Sequence, residues 1–435
     1  MYFHLLYAVL YTFFLTLYLL IRSNTDPDNH NVDGFKSFQK SYLIVYLVAV
    51  AEDWLQRPHL YVLYESHGFS KHQIGILFAT AVVASMMFGA FCAVVPLKFG
   101  HRNEFVIYAL FQILACTANH FDNFSIIMFG RLLSGIAFTI LNTFSASWLN
   151  EECCLQGFSN KQLSSILANA SFGSLLVAIL AGLVSQFLAE KVGLLAPYDL
   201  SILILLISIT TKRNSGSESN GCDKPLSVGF RRSIRAWKEG WRHETKMICF
   251  GLVQSVLEGF LHLFSFEWSP IIFRAAGAHT LPHGHIFAAV LISTLIGSSS
   301  FGLVEKRSNM KGYHFLLIAA AGLLLSVIEP DDFRYVFSGF LVFGFCSGVM
   351  WKTLRSLSET YTSEEHKTAI MLMRFPVYSI VITILILDLP VILITQFTVA
   401  LLLSAAIAHY VLFKSFESDR QYEKLPLTEN NHDLS

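Results

Sequence analysis

Twelve apolar segments, each near the length that crosses a bilayer, constrain this chain more than any motif in it. Six run at about 41–64, 73–96, 104–121, 124–150, 162–190 and 197–211, and six more at about 246–272, 284–304, 313–329, 333–353, 367–388 and 393–414. A helix needs roughly 20 apolar residues to span the hydrocarbon, and only the sixth segment falls clearly short. Lipid offers no partner for backbone N–H and C=O groups, so such segments must be helical. Composition agrees: 54% of the 435 residues are hydrophobic and 14% charged, against roughly a quarter charged in a soluble domain. The chain is expected to be an all-α integral membrane protein.

A further apolar stretch at 1–22 ends at Arg22, with no basic residue before it and no small-x-small cleavage site. It reads as a retained anchor helix rather than a signal peptide. Residues 23–40, with Asp26, Pro27, Asp28 and Asp33, read as a polar linker. The organisation expected is an anchor, a six-helix bundle over 41–211, a basic loop over 212–245, a second six-helix bundle over 246–414 and a tail over 415–435. If the basic loop is cytoplasmic, then Lys98, Arg102, Lys161, Lys306, Arg307, Lys311, Arg355, Lys367 and Lys414 are cytoplasmic too. Lys71, Lys191, Arg274 and Arg334 fall outside, as does Met1. Asn123-Phe124-Ser125 would be an external glycosylation acceptor, although its loop is very short.

Several function classes are disfavoured. The net charge is zero, which argues against nucleic acid as a partner. No Walker loop, zinc signature or nucleophile elbow is present, so neither an enzyme nor a cofactor is expected. The seven cysteines, at 92, 116, 153, 154, 222, 249 and 346, show no paired spacing and imply no disulfide framework. His279, His283 and His285 fall in a predicted external loop without carboxylate or cysteine companions, so they read as solvated rather than as metal ligands. Gly344–Gly348 and Gly130–Ser134 have small-xxx-small spacing, which reads first as close helix packing.

What remains is charge where a structural membrane helix would hold leucine. The run from Ala51 to Tyr64 carries Glu52, Asp53 and Arg57 ahead of Pro58, and proline there fits a broken helix that points polar groups at a cavity. Arg131, Glu258 and Arg374 lie deep in the fourth, seventh and eleventh segments. At ~1.5 Å per residue they fall, with Asp53, in the middle third of the bilayer. Mutual pairing of two acids with two arginines is the structural explanation; a polar cavity between the bundles is the functional one. Desolvation argues for the second, since pairing rarely repays it. Two guanidiniums on one cavity suit an anion, because the planar fork holds two oxygens at once. Glu258 and His262, four apart on one face, suit a proton relay, or a simple packing contact.

The chain resembles the molybdate-anion transporter family of the major facilitator superfamily. The resemblance rests on Asp53-Trp54-Leu55-Gln56 with Pro58 and Tyr61, Gly130-Arg131, Ala196-Pro197-Tyr198, Gln254-Ser255 with Glu258, Trp268-Ser269-Pro270, Gly297-Ser298-Ser299, and Leu354-Arg355 followed by Arg374-Phe375-Pro376. It implies the major facilitator fold, two pseudosymmetric six-helix bundles plus the additional N-terminal hydrophobic helix, and oxyanion uptake by alternating access. The substrate-binding residues expected are Arg131, Arg374, Asp53, Gln56 and Glu258, with Gly100, Arg102 and Arg355 at a cytoplasmic gate. A small inorganic oxyanion and the lipid bilayer are the partners expected, for a monomer in the plasma membrane. The chain departs from the superfamily pattern at Leu97, His101, Ala146 and Met371, which suggests an inner gate closed by apolar packing, with Arg102 and Glu151 or Glu152 as a weaker latch. The alternative is a transport-poor membrane protein that senses a ligand or signals through its loops.

Overall fold

The computed structural model describes residues 33–94, 100–214, 245–277, 281–307, 310–361, 374–387 and 389–423. The anchor stretch, most of the basic loop, Leu97 and Met371 lie outside these residues, as do the side chains of Arg102, His101, Ala146 and Glu151. Every element described is helical. The first span is broken: α1 (Asp33–Gln56) passes through a 3-10 turn (Arg57–His59) into α2 (Leu60–Ser66). Pro58 lies in the turn, where its missing N–H ends the α-helical ladder. The rest of the first bundle is α3 (Lys71–Val94), α4 (Gly100–Ala118), α5 (Phe124–Gln156), α6 (Asn160–Lys191) and α7 (Ala196–Asn214). The second is α8 (Thr245–Ala276), α9 (His283–Arg307), α10 (Gly312–Ile328), α11 (Phe333–Tyr361), α12 (Arg374–Ile386) and α13 (Val391–Glu423). α1 begins at Asp33, so the end of the expected linker is helical.

Seven of these helices are long and apolar enough to cross a membrane, and four shorter apolar ones accompany them. Their outward faces carry large apolar side chains such as Phe129, Phe187 and Ile407, each more than 60% exposed. Such a surface suits lipid, not water. Local signals set the ends: Ser159 and Gln162 form a reciprocal capping box at the start of α6, and Asn123 Oδ1 accepts from the N–H groups of Ser125 and Ile126 to cap α5. Gly157, at φ +66°, turns the chain between α5 and α6.

Within the second bundle, glycine lets backbones meet. A Cβ on Gly297 would lie 2.8 Å from the carbonyl carbon of Phe345, and one on Gly344 would lie 2.8 Å from Val290 O. Gly348 meets Thr294 in the same way, so the small-xxx-small spacing serves the α9–α11 contact. Gly130 packs on Ala118 and Ala115 of α4.

The order of the helices puts the turns after α2, α4, α6, α8, α10 and α12 at one end of the molecule, here the turn face, and the end of α7 and the start of α8 at the other, the loop face. At the turn face the bundles are shut against each other. Gly284 of α9 abuts Gly182 and Gln186 of α6, and Gly75 of α3 abuts the backbone of Leu385 on α12. Gln186 Oε1 accepts from Gly284 N–H at 2.7 Å. Lys71 Nζ reaches Glu267 of α8 at 3.1 Å and donates to Leu389 O at 3.2 Å.

Candidate substrate site

Apart from Glu52 and the Lys71–Glu267 pair, the charges in the spans include one ion pair within each bundle and one cation, Arg131, that pairs with no carboxylate among the described residues. On the broken span, Asp53 pairs with Arg57, one turn along its own helix. The Nε and one terminal nitrogen of Arg57 both donate to Oδ2, at 3.0 and 2.5 Å. The guanidinium lies 4.8 Å from the Trp54 ring centroid and 5.9 Å from that of Phe138 on α5, within cation–π range. Asp53 therefore positions Arg57, where the sequence suggested Arg131 or Arg374.

In the second bundle, Arg374 and Glu258 meet two-to-two across α12 and α8. One terminal nitrogen of Arg374 donates to Oε1 at 2.9 Å, and its Nε lies 2.8 Å from Oε2. Gln254 donates to Oε1 at 3.0 Å and the Tyr378 hydroxyl to Oε2 at 3.2 Å. The carboxylate thus holds one face of the guanidinium fork, and neutral donors fill its other lone pairs. His262, one turn beyond Glu258, sets its ring edge-on to Tyr378 with centroids 5.4 Å apart. It packs on that ring rather than bonding Glu258.

Arg131 is different. Its guanidinium stands 5.4 Å from the Phe78 ring centroid, and its buried Nε has no hydrogen-bond partner. Among the described residues no carboxylate pairs with it. The Phe78 ring beside it meets Phe266 of α8 with centroids 5.5 Å apart, so Arg131 lies close to the seam between the bundles.

Gln56 does not join them. Its Nε2 donates to Glu52 Oε2 at 3.1 Å, inside the first bundle and away from the seam. Glu52 is fully buried and also accepts from the Tyr108 hydroxyl of α4, while Ser201 of α7 donates to its carbonyl at 2.9 Å. Glu52 and Gln56 therefore bind α1 to α4 and α7. Arg355, expected at a gate, crosses the seam in the loop-face half, donating to Ser171 Oγ and, at 3.2 Å, to Leu167 O on α6. Gly100 opens α4. His283 and His285 fall in the first turn of α9 rather than in a loop, and His283 is buried against Trp268 and His59. Arg57 was noted in the sequence as part of the charged run before Pro58 but not among the expected substrate-binding residues; its place beside Trp54 and Phe138 is visible only once α5 is packed.

Solved transporters share this architecture. A D-xylose–proton symporter superposes with TM-score 0.65 at 14% identity, covering 85% of this chain and 96% of that one. The nucleoside transporter NupG gives 0.64 at 11%, covering 86% and 99%. The likeness to these structures is one of fold. The MFS_5 family model, described as sugar transporters with 12 TM, matches residues 1–350, and the chain belongs to that family: a multi-pass membrane transporter of the major facilitator superfamily, not an enzyme. It is 24% identical over 390 residues to a molybdate-anion transporter of Takifugu rubripes, covering 82% of this chain and 80% of that protein. A Danio rerio molybdate-anion transporter is 27% identical over 314 residues, covering 66% and 64%.

Proposed function

We propose that the protein is a secondary transporter that carries a small oxyanion, molybdate, into the cytosol by alternating access, as a monomer in the plasma membrane with its loop face inside. The observation that carries this reading is Arg131, whose buried Nε has no hydrogen-bond partner and which pairs with no carboxylate among the described residues. Burying such a cation is costly unless a partner arrives, and an anion is that partner. Arg374 supplies a second donor edge, held in place by Glu258. Lysine and arginine crowd the loop face, which orients that face toward the cytosol. Gly100, Arg102 and Arg355 belong to the gate on that side.

The test is uptake of labelled molybdate by cells that lack their own carrier. Arg131→Lys keeps the charge but loses the fork, so uptake should fall at least tenfold while the protein still reaches the membrane. Unchanged uptake by that variant removes Arg131 from the site. Uptake of a hexose that molybdate does not inhibit would favour a neutral sugar, in keeping with the description of the family.

A further inference from the structure

We infer that the turn-face end of the second bundle holds a site for one sodium ion, built from Glu267, Ser326, Thr395 and Thr398, and that sodium competes there with Lys71 and so favours opening of the turn face. The inference rests on the transport reading above for the turn face being the outer one, and goes beyond it by naming an ion and its ligands.

A cavity of about 30 Å³ lies among α8, α10 and α13, and these four residues line it. All four are buried, Glu267 to 3% exposure. Each hydroxyl donates to a carbonyl of its own helix: Ser326 to Leu323 O at 2.6 Å, Thr395 to Val391 O at 3.0 Å and Thr398 to Ile394 O at 2.7 Å. A hydroxyl has one proton and two lone pairs, so the three oxygens have used their donor and are left as acceptors. Bonding of this kind to the preceding turn is ordinary for one serine or threonine in a helix. Here it comes from two helices onto a cavity that a carboxylate also lines. These side chains offer one anionic and three neutral oxygens and no proton of their own, which is the environment of a hard cation.

Charge and size select a monovalent one. Calcium takes about 6–8 oxygens and magnesium keeps several of its waters, more than four side chains around so small a cavity supply. One carboxylate balances one positive charge, and the volume suits sodium better than potassium.

The cation that faces Glu267 in this state belongs to the other bundle. Lys71 Nζ of α3 lies 3.1 Å from Oε1, and it moves away with α3 when the turn face opens. Stranding a buried carboxylate is costly. A water molecule in the cavity would leave that charge unbalanced, whereas a sodium ion takes the place of the departing ammonium. Sodium therefore binds the open turn face better than the shut one, and shifts the equilibrium toward opening.

The experiment measures equilibrium binding of radioactive sodium to the purified full-length protein. Beside it runs uptake of labelled molybdate with outside sodium replaced by N-methylglucamine at fixed pH. The parent should bind sodium, and its uptake should fall severalfold on replacement. Thr398→Val and Ser326→Ala should each raise the half-saturating sodium concentration about tenfold or more, while Thr398→Ser, which keeps the oxygen, stays near the parent. Lys71→Gln removes the competing cation and should lower that concentration about fivefold or more. The alanine variant serves if the valine variant does not reach the membrane. A merely structural role lowers protein level with half-saturation unchanged in these variants; that result overturns the inference. Molybdate uptake by a parent that binds no sodium, or uptake stimulated by outside protons alone, overturns it and leaves the oxyanion reading intact. Sodium binding with the expected shifts, beside no molybdate uptake, supports the sodium site and overturns the oxyanion reading.

Discussion

The glycines at the turn-face seam make a quantitative test of alternating access. In Gly284→Ala the new Cβ would lie 2.7 Å from the Gln186 Cβ and closer still to Gly182 O. Carbon atoms rest at about 3.5–4.0 Å, so α6 and α9 must separate by about 1 Å or strain must accumulate. Overpacking of this kind costs about 1–3 kcal/mol. Because α6 and α9 belong to different bundles, strain at their contact is relieved when the turn face opens. The whole cost then appears as a shift between states, about 5- to 150-fold toward the open one. Ser185 is fully buried at this seam, so Ser185→Cys in a cysteine-free background reports its opening to an impermeant maleimide applied from the turn side. Adding Gly284→Ala should speed labelling at least fivefold and slow uptake, with little change in thermal unfolding. Gly297→Ala is the control: its Cβ would meet Phe345 just as closely, but inside one bundle, so it should lower thermal stability and leave labelling unchanged. Equal labelling in the Gly284→Ala and parent proteins, with uptake intact, would refute the claim that this seam opens during transport.

The two cross-helix ion pairs give further predictions. Lys71 and Glu267 join the bundles at 3.1 Å, with Glu267 almost wholly buried; Lys71→Gln, which strands that carboxylate, should speed Ser185→Cys labelling more than Glu267→Gln does, and equal effects would remove the pair from the turn-face latch. Glu258 and Arg374 lie within the second bundle, so a double-mutant cycle with Glu258→Gln and Arg374→Gln, followed by thermal unfolding in detergent, should show a coupling of about 0.5–3 kcal/mol; strictly additive losses would mean that the carboxylate does not hold the guanidinium.

Much of the fold was legible because lipid leaves a chain few choices. Apolar length marked the spans, and Pro58 marked the break in the first. What the sequence hid was rotation. Glu52 and Asp53 are adjacent, so their side chains point about 100° apart on a helix. One is fully buried among Tyr108, Gln56 and Gln112, whereas the other reaches Arg57 near the seam. Apolar residues surround α1, which leaves no amphipathic face to say which acid looks where. Gly75, Gly182 and Gly284 were hidden for a related reason: a lone glycine in an apolar run carries no sign of the backbone that will press on it. Lys71 and Glu267 were hidden by their distance in sequence, since nothing in either segment names the other.

The broken span explains how site and seam can act together. Trp54, Arg57 and His59 occupy six successive residues, and each faces a different task. Arg57 leans on Trp54 at 4.8 Å. Trp54 in turn meets Phe287 of α9, across the seam, with centroids 5.8 Å apart. His59 bonds Ser185 Oγ at 2.9 Å and faces the His283 ring at 6.1 Å, beside the Gly182–Gly284 contact. A regular helix would hold these side chains rigidly to α1. The 3-10 turn with Pro58 gives Arg57 and His59 a backbone geometry of their own, whereas Trp54 shares α1 with Glu52, which is tied to α4 and α7. Coupling of this kind needs an element with two arrangements biased by both sites. The turn from Arg57 to His59 carries the Asp53 ion pair at one end and the Ser185 contact of the turn-face seam at the other, and it is the stretch of the first bundle best placed to be that element.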